Sequence, residues 1–163
     1  MIKSTYSNGS STTIDSIVLN SNGMMALWSS RNIQSSYVNV TVYTYASNEQ
    51  LQKTTSQYSG GTITTTNYSF TNGDLTGVVS GTDTANYSYY LDKPISDGDY
   101  FNLSQLLNYG ASYIKNAHLL KEVKEGLTDN NINYSFDADG KISGFSVTGG
   151  SVIENITYLY NCN

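Results

Sequence analysis

The stretch Tyr134-Ser135-Phe136-Asp137-Ala138-Asp139-Gly140-Lys141-Ile142 sets the terms for the whole chain. Tyr134 and Phe136 are two residues apart, so on a strand both rings project from one face. Asp137 favours a turn by bonding to nearby backbone, and Gly140 takes positive φ without a Cβ clash. Ile142 then restarts an apolar strand. The unit reads as a hairpin: aromatic strand, tight loop, returning strand. Copies recur. Tyr43-Thr44-Tyr45 leads through Ala46 to Gln50 into Leu51, and Tyr68-Ser69-Phe70 leads through a loop one residue shorter into Leu75. Leu19 leads through Asn20 to Met24 into Met25, an aliphatic version. Tyr87-Ser88-Tyr89 has the pair but runs into Asp92-Lys93-Pro94, and Tyr158-Leu159-Tyr160 has the pair without a following unit.

Between these units, short strands and Gly/Asn turns alternate at the spacing of a meander. Hairpins are predicted over residues 14–30 and 63–80, and strands over 37–45, 51–58 and 85–91. On 37–45, Val38, Val40 and Val42 share one face, while Tyr37, Asn39, Thr41, Tyr43 and Tyr45 share the other. Residues 1–13 read as a frayed start with room for a short edge strand. Pro94 breaks the pattern. Asn102 is expected to cap a short helix over Leu103 to Tyr109, with Gly110 just past its end. From Ala111 to Glu125 two periods compete: Tyr113, Ala117 and Leu120 at helical spacing, Leu119, Lys121 and Val123 at strand spacing. Loop to about Ala117 and then strand is the expectation. Strands over 132–136, 142–147 and 152–160 follow. The fold class predicted is all-β: a curved antiparallel β-meander of about ten strands, a half-barrel or incomplete barrel. It forms one domain over residues 1–163, with a loop-helix insertion near residues 94–117.

Composition narrows the function classes. The formal net charge is −5, with only eight Lys and Arg in 163 residues. That argues against nucleic acid, whose phosphates need a basic face, and against electrostatic docking to anionic membranes. Charged residues make up 13% of the chain, about half the usual share, and hydroxyl and amide residues stand in their place. Cys162 is the single cysteine, which excludes an intrachain disulfide and a Cys₄ zinc site. No apolar run is long enough to span a membrane as a helix. The start of the sequence lacks the basic-then-apolar pattern of a signal peptide. We expect an extracytoplasmic protein (periplasm or cell surface) whose export signal lies outside this sequence.

The Tyr134 to Ile142 unit resembles the Tyr-Asp-x-x-Gly-x-Ile/Leu units of Rhs-type (YD) repeats. It is more similar still to a family of Bacteroidetes secreted proteins and lipoproteins of unknown function that use the same hairpin. In that family a meander leads into a loop-helix insertion, a Ser-Lys-Asn-Leu-like segment and a last hairpin pair ending in a Tyr-rich strand with a near-terminal cysteine. Tyr113-Ile114-Lys115-Asn116-Ala117-His118-Leu119, the Phe136 to Ile142 turn and Ile156-Thr157-Tyr158-Leu159-Tyr160-Asn161-Cys162 fall in that order. The similarity is best over residues 85–163. Ala117-His118 looks inserted, and there is no lipobox cysteine at the start, which leaves lipid anchoring open. The resemblance implies export, a curved antiparallel sheet, no established activity and, for some members, lipid binding.

Asp15-Ser16-Ile17 and Asp83-Thr84-Ala85 match the Asp-Ser/Thr-apolar glycosylation pattern of that phylum, and several Asn-x-Ser/Thr triplets fall inside predicted strands. A chain rich in Ser, Thr and Asn produces such matches from its composition.

The sequence offers no catalytic constellation. His118 is the only histidine, and a general base needs a partner that orients it. It reads as a lone surface residue. No Gly-x-Ser-x-Gly elbow is present. The carboxylates are scattered and mostly at turns. Asp97-Gly98-Asp99 and Asp137-Ala138-Asp139-Gly140 do not continue to the Glu that closes an EF-hand loop, and there is no phosphate-cradling glycine loop after a strand. No catalytic residue, metal ligand or cofactor is expected.

What remains is the aromatic face. Tyr43, Tyr68, Tyr87, Tyr134 and Tyr158 head successive pairs, interleaved with Leu51, Leu75, Val78, Phe145 and Val147 on the returning strands. The band is either packed core or, in part, the lining of a cavity for an apolar or sugar ligand. The insertion is too short to cover all of it, so the sheet is expected to curl. The functional expectation is a non-enzymatic exported protein that holds a lipid or other apolar small molecule, with the five tyrosines as candidate ligand-binding residues. The alternative is a protein-interaction module, an immunity- or adhesin-like cell-surface factor that docks a protein partner at open sheet edges.

Overall fold

A computed structural model describes residues 2–8, 10–109, 113–149 and 152–159. Among these residues twelve strands form one antiparallel sheet in which order in space follows order in sequence. They are β1 (Ile2–Ser7), β2 (Thr12–Leu19), β3 (Met25–Asn32), β4 (Val38–Tyr45), β5 (Leu51–Tyr58) and β6 (Ile63–Thr71), then β7 (Asp74–Ser80), β8 (Asp83–Pro94), β9 (His118–Glu125), β10 (Thr128–Phe136), β11 (Ile142–Gly149) and β12 (Val152–Thr157). A helix, α1 (Tyr100–Tyr109), sits in the excursion between β8 and β9. The predicted curved meander with a loop-helix insertion is therefore the fold, with twelve strands where about ten were expected. Gly110, Tyr160 and Cys162, read above as a helix stop, a paired ring and a near-terminal thiol, lie outside the described residues.

The repeating hairpin is built the same way four times. Leu19 faces Met25, Tyr45 faces Leu51, Phe70 faces Leu75 and Phe136 faces Ile142. In each pair the register shifts by one residue just before the turn, leaving Ala26, Gln52, Thr76 and Ser143 as the extra residue of a β-bulge. Each restart residue is fully buried. A bulge increases local twist and bends its strand. Four of them at the same place on hairpins β2–β3, β4–β5, β6–β7 and β10–β11 bend the sheet the same way, around the buried restart residues.

The three longer turns also share their hydrogen bonds. The N–H groups of Asn20, Ala46 and Asp137 donate to the carbonyls of Met24, Gln50 and Lys141 at 2.8, 2.9 and 2.9 Å. The fourth loop position has positive φ in all three: Gly23 at 75°, Glu49 at 65° and Gly140 at 79°. Glycine suits that conformation and Glu49 does not.

Side chains directly opposite one another share a face, so the register sorts the sheet. Inward lie Ile17, Met25, Leu51, Leu75, Tyr89, Leu120, Ile132 and Phe145, which form three adjoining clusters of buried residues. The outward face carries Ser16, Ser29, Lys53, Gln57, Asn67, Lys124 and Asn131 with single exposed valines such as Val42 and Val79.

The insertion plugs one half of the inward face. Asp99, not Asn102, caps α1: its carboxylate accepts from Phe101 N–H at 2.7 Å and Asn102 N–H at 3.2 Å. Tyr100, Phe101 and Leu103 then pack against Leu120, Ile132, Phe145 and Val147. Buried Gln105 holds the returning loop, taking the N–H groups of Tyr113 and Ile114 at 2.8 Å each and donating to the Ile114 carbonyl at 3.0 Å. Ile114 fills the space between Leu51 and Leu75. Of the stretch from Ala111 to Glu125, the described part resolves as expected: loop, then strand from His118.

Candidate ligand-binding site

On β4 the polar face points in. Val42 is exposed on the outside, while Asn39 and Thr41 are buried on the inside. The same holds on the neighbouring strands. Trp28 on β3 lies beside Thr41 on β4, which lies beside Ser56 on β5, and Tyr43 lies beside Thr54. An inward face facing only protein would carry apolar residues here. These strands instead form the floor of an open trough of about 300 Å³. Its rings are Trp28, Tyr43, Tyr58, Tyr68 and Tyr113; its polar groups are Asn39, Thr41, Thr54 and Ser56.

The floor is only partly satisfied from within. Thr41 and Ser56 share a hydrogen bond at 2.8 Å, and Thr54 and the Tyr68 hydroxyl share one at 3.3 Å. Asn39 is 7% exposed, and its Oδ1 has no hydrogen-bond partner among the described residues. One Oδ of Asp15, in the same cross-strand row through Ser30, is likewise buried without a partner among them. The insertion supplies the trough's rim: the Tyr113 ring rests against Tyr43 with centroids 5.4 Å apart.

The five candidate tyrosines divide into two groups. Tyr43 and Tyr68 line the trough. Tyr87, Tyr134 and Tyr158 hold the insertion in place. Tyr87 meets Phe101 edge-on at 6.1 Å, and the Tyr134 hydroxyl accepts from Tyr100 N–H at 3.4 Å. The Tyr158 hydroxyl donates to the Gly98 carbonyl at 2.8 Å. Burial first, then nearby Glu125, pushes the Tyr87 hydroxyl up to about 12. Burial likewise raises Tyr45, Tyr89 and Tyr134, so these phenols stay protonated donors. Tyr45 and Tyr89 spend that donor on the Met25 and Leu75 carbonyls, both at 2.7 Å. Phe136 leaves the aromatic band: it is half-exposed, with the Lys93 ammonium 4.4 Å from its ring centroid.

Of the nine residues that line the trough, the sequence candidates included only Tyr43 and Tyr68; Trp28, Asn39, Thr41, Thr54, Ser56, Tyr58 and Tyr113 were missed, because only strand pairing and the returning insertion bring them together. The readable signal was β4's alternation, with tyrosines, amide and hydroxyl opposite the valines. His118 is also corrected. It is not a lone surface residue: its Nδ1 lies 2.7 Å from Asp74 Oδ2. Asp74 is buried, and its Oδ1 also accepts from the Ala117 and His118 N–H groups, each at 2.9 Å. With Asn116 Oδ1 taking the Leu75 N–H at 2.9 Å, this ties the end of the insertion to the β6–β7 turn. A carboxylate orienting a histidine is half of a nucleophile-activating set. Among the described residues no hydroxyl or thiol hydrogen-bonds the other ring nitrogen. No group of His, Cys, Asp and Glu fit to hold a metal occurs among the described residues.

No family model matches the sequence, nor does any curated protein sequence. Among solved structures, the fold is similar to the crystal structure of a porin-like protein from Bacteroides uniformis ATCC 8492, with a TM-score of 0.63 over 95% of this chain and 73% of that one. At 12% identity the likeness is one of fold, and its source agrees with the phylum of the family that the hairpin units resemble.

Proposed function

We propose that this chain is a non-enzymatic binding protein that works outside the cytoplasm, belongs with the exported Bacteroidetes proteins its hairpins resemble, and holds a small molecule in the trough between β3 and β6. The observation that carries the reading is the trough itself, an inward face built of rings and hydroxyls and left uncovered by the insertion. Buried polar groups without partners are rare in a finished core, and sites of this kind are open, largely preformed and lined by rings with a few placed polar groups. The apolar part of the inward face, where a lipid would lie, is occupied by α1 and Ile114. A membrane-spanning barrel is the opposite arrangement, with an apolar belt outside and a polar lumen. Here Lys53, Lys124 and Asn131 face out, which favours a sheet surrounded by water.

A protein partner is the second reading. Leu106 and Leu107 are exposed on α1, and Leu107 lines a groove of about 330 Å³ together with Phe145 and Ile156. Among the described residues nothing pairs with the outer edges of β1 or β12, and open edges accept strands. Native mass spectrometry of the purified protein tests both. A retained small-molecule mass that disappears on denaturation, and is lost in a Tyr43→Ala, Tyr68→Ala variant, supports the trough. A retained polypeptide lost in a Leu106→Ser, Leu107→Ser variant moves the function to the helix face.

A further inference from the structure

The trough's chemistry narrows its ligand to one class. We infer that it takes a neutral, hydroxyl-rich ring compound, a pyranose unit of a glycan; this rests on the binding reading above. Three features lead there. Among the described residues no lysine or arginine lines the trough, so nothing there would neutralise a phosphate or the head of a fatty acid, whose burial unpaired is costly. Its hydroxyls, on Thr41, Thr54 and Ser56, both donate and accept, as sugar hydroxyls do. Trp28 and Tyr58 offer flat apolar faces with polar tips, suited to the C–H face of a sugar ring.

The orphan acceptor supplies the specific point of attachment. Asn39 lines the trough, and its Oδ1 is buried without a donor among the described residues. An unpaired buried carbonyl oxygen is unfavourable in the empty protein. A ligand O–H that reaches it relieves that cost on binding, whereas an alkyl chain leaves it unpaired. A site built this way discriminates strongly against a ligand lacking the hydroxyl.

Trp28 is the only tryptophan, so its emission reports on the trough alone. The experiment is a titration of the intact protein, followed by Trp28 fluorescence and by amide chemical shifts. The probes are maltose, cellobiose, mannobiose, lactose and N,N′-diacetylchitobiose, with dodecanoate as the apolar comparison. A saturable response to at least one disaccharide, with shifts at Asn39, Thr41 and Ser56, is expected. In Asn39→Leu, affinity for that sugar should fall at least about tenfold while the urea midpoint holds or rises, because the orphan is gone. Unchanged affinity in that variant overturns the role of Asn39. Shifts with dodecanoate alone overturn the ligand class and leave the binding reading standing. No trough response to any of the six probes overturns both.

Discussion

His118 Nδ1 lies 2.7 Å from Oδ2 of Asp74, and the other oxygen of that carboxylate holds the backbone N–H groups of Ala117 and His118. One buried side chain thus closes the insertion onto the β6–β7 turn. Removing it leaves two part-buried donors unpaired and the histidine without its partner. Asp74→Ala should cost about 3 kcal/mol or more, since hydrogen bonds to a buried charge are the strong ones. His118→Gln leaves both backbone bonds in place and should cost about 1 kcal/mol. Urea denaturation of the two variants gives the comparison; equal costs would mean that the imidazole, and not the backbone pair, is what Asp74 is there to hold.

The four restart residues should be the most sensitive aliphatic positions in the sheet. Leu51 and Ile142 are fully buried at the bulges. Leu51→Ala and Ile142→Ala should each lose about 2–5 kcal/mol, the transfer cost plus an unfilled cavity. Val42→Thr, on the outward face of the hairpin that carries Leu51, should change stability by less than about 1 kcal/mol. The ranking, read from denaturation midpoints, tests the assignment of faces directly.

Glu49 occupies the loop position that Gly23 and Gly140 occupy in the sister turns, at a φ of 65°. Its carboxylate reaches Lys115 at 3.2 Å, but both side chains are exposed, and such pairs contribute about 0–1 kcal/mol. Left-handed backbone at a residue with a Cβ costs about 1 kcal/mol relative to glycine. Glu49→Gly should therefore be neutral to slightly stabilising, and Gly140→Ala destabilising by about 1 kcal/mol, although open space surrounds the added methyl. A thermal melt of each variant checks the sign; a clear loss in Glu49→Gly would put the Lys115 contact above the backbone term.

Much of this fold was legible because the hairpin writes its signal locally. The i, i+2 aromatic pair, the Asx-Gly turn and the apolar restart lie within one unit, and period-two alternation then marked strand after strand. The bulges were not legible: Gln52 and Ser143 carry no mark that sets them apart from any polar strand residue. The cap was misread because Asp99 and Asn102 are equally good caps on composition, and only the turn of α1 decides between them. Of the site, the rings Tyr43 and Tyr68 were readable. Asn39 on β4 and Thr54 and Ser56 on β5 look like surface polar residues until the register places them inward. The Asp74–His118 contact spans 44 residues, and nothing local announces it.

Asp99 should give the protein a measurable acid-side pH dependence. Its carboxyl is almost completely buried, and that burial raises its pKa even though the Phe101 and Asn102 N–H groups at the helix start pull the other way. The unfolded carboxyl titrates near about 3.9. As pH climbs from that value through the higher folded one, the unfolded chain releases its proton first, so the folded state binds more protons and stability falls with pH. Below the unfolded value the group's contribution is fully present; above the folded value it is lost and the curve is flat again. An asparagine side chain at this position can still cap α1 through its one amide oxygen and cannot titrate. The stability difference between wild type and Asp99→Asn, measured by urea denaturation from about pH 3.5 to pH 7, should therefore shift in favour of the variant as pH rises. A difference that stays constant across that range, or one that moves in favour of wild type, would place the carboxylate's two backbone donors above its burial.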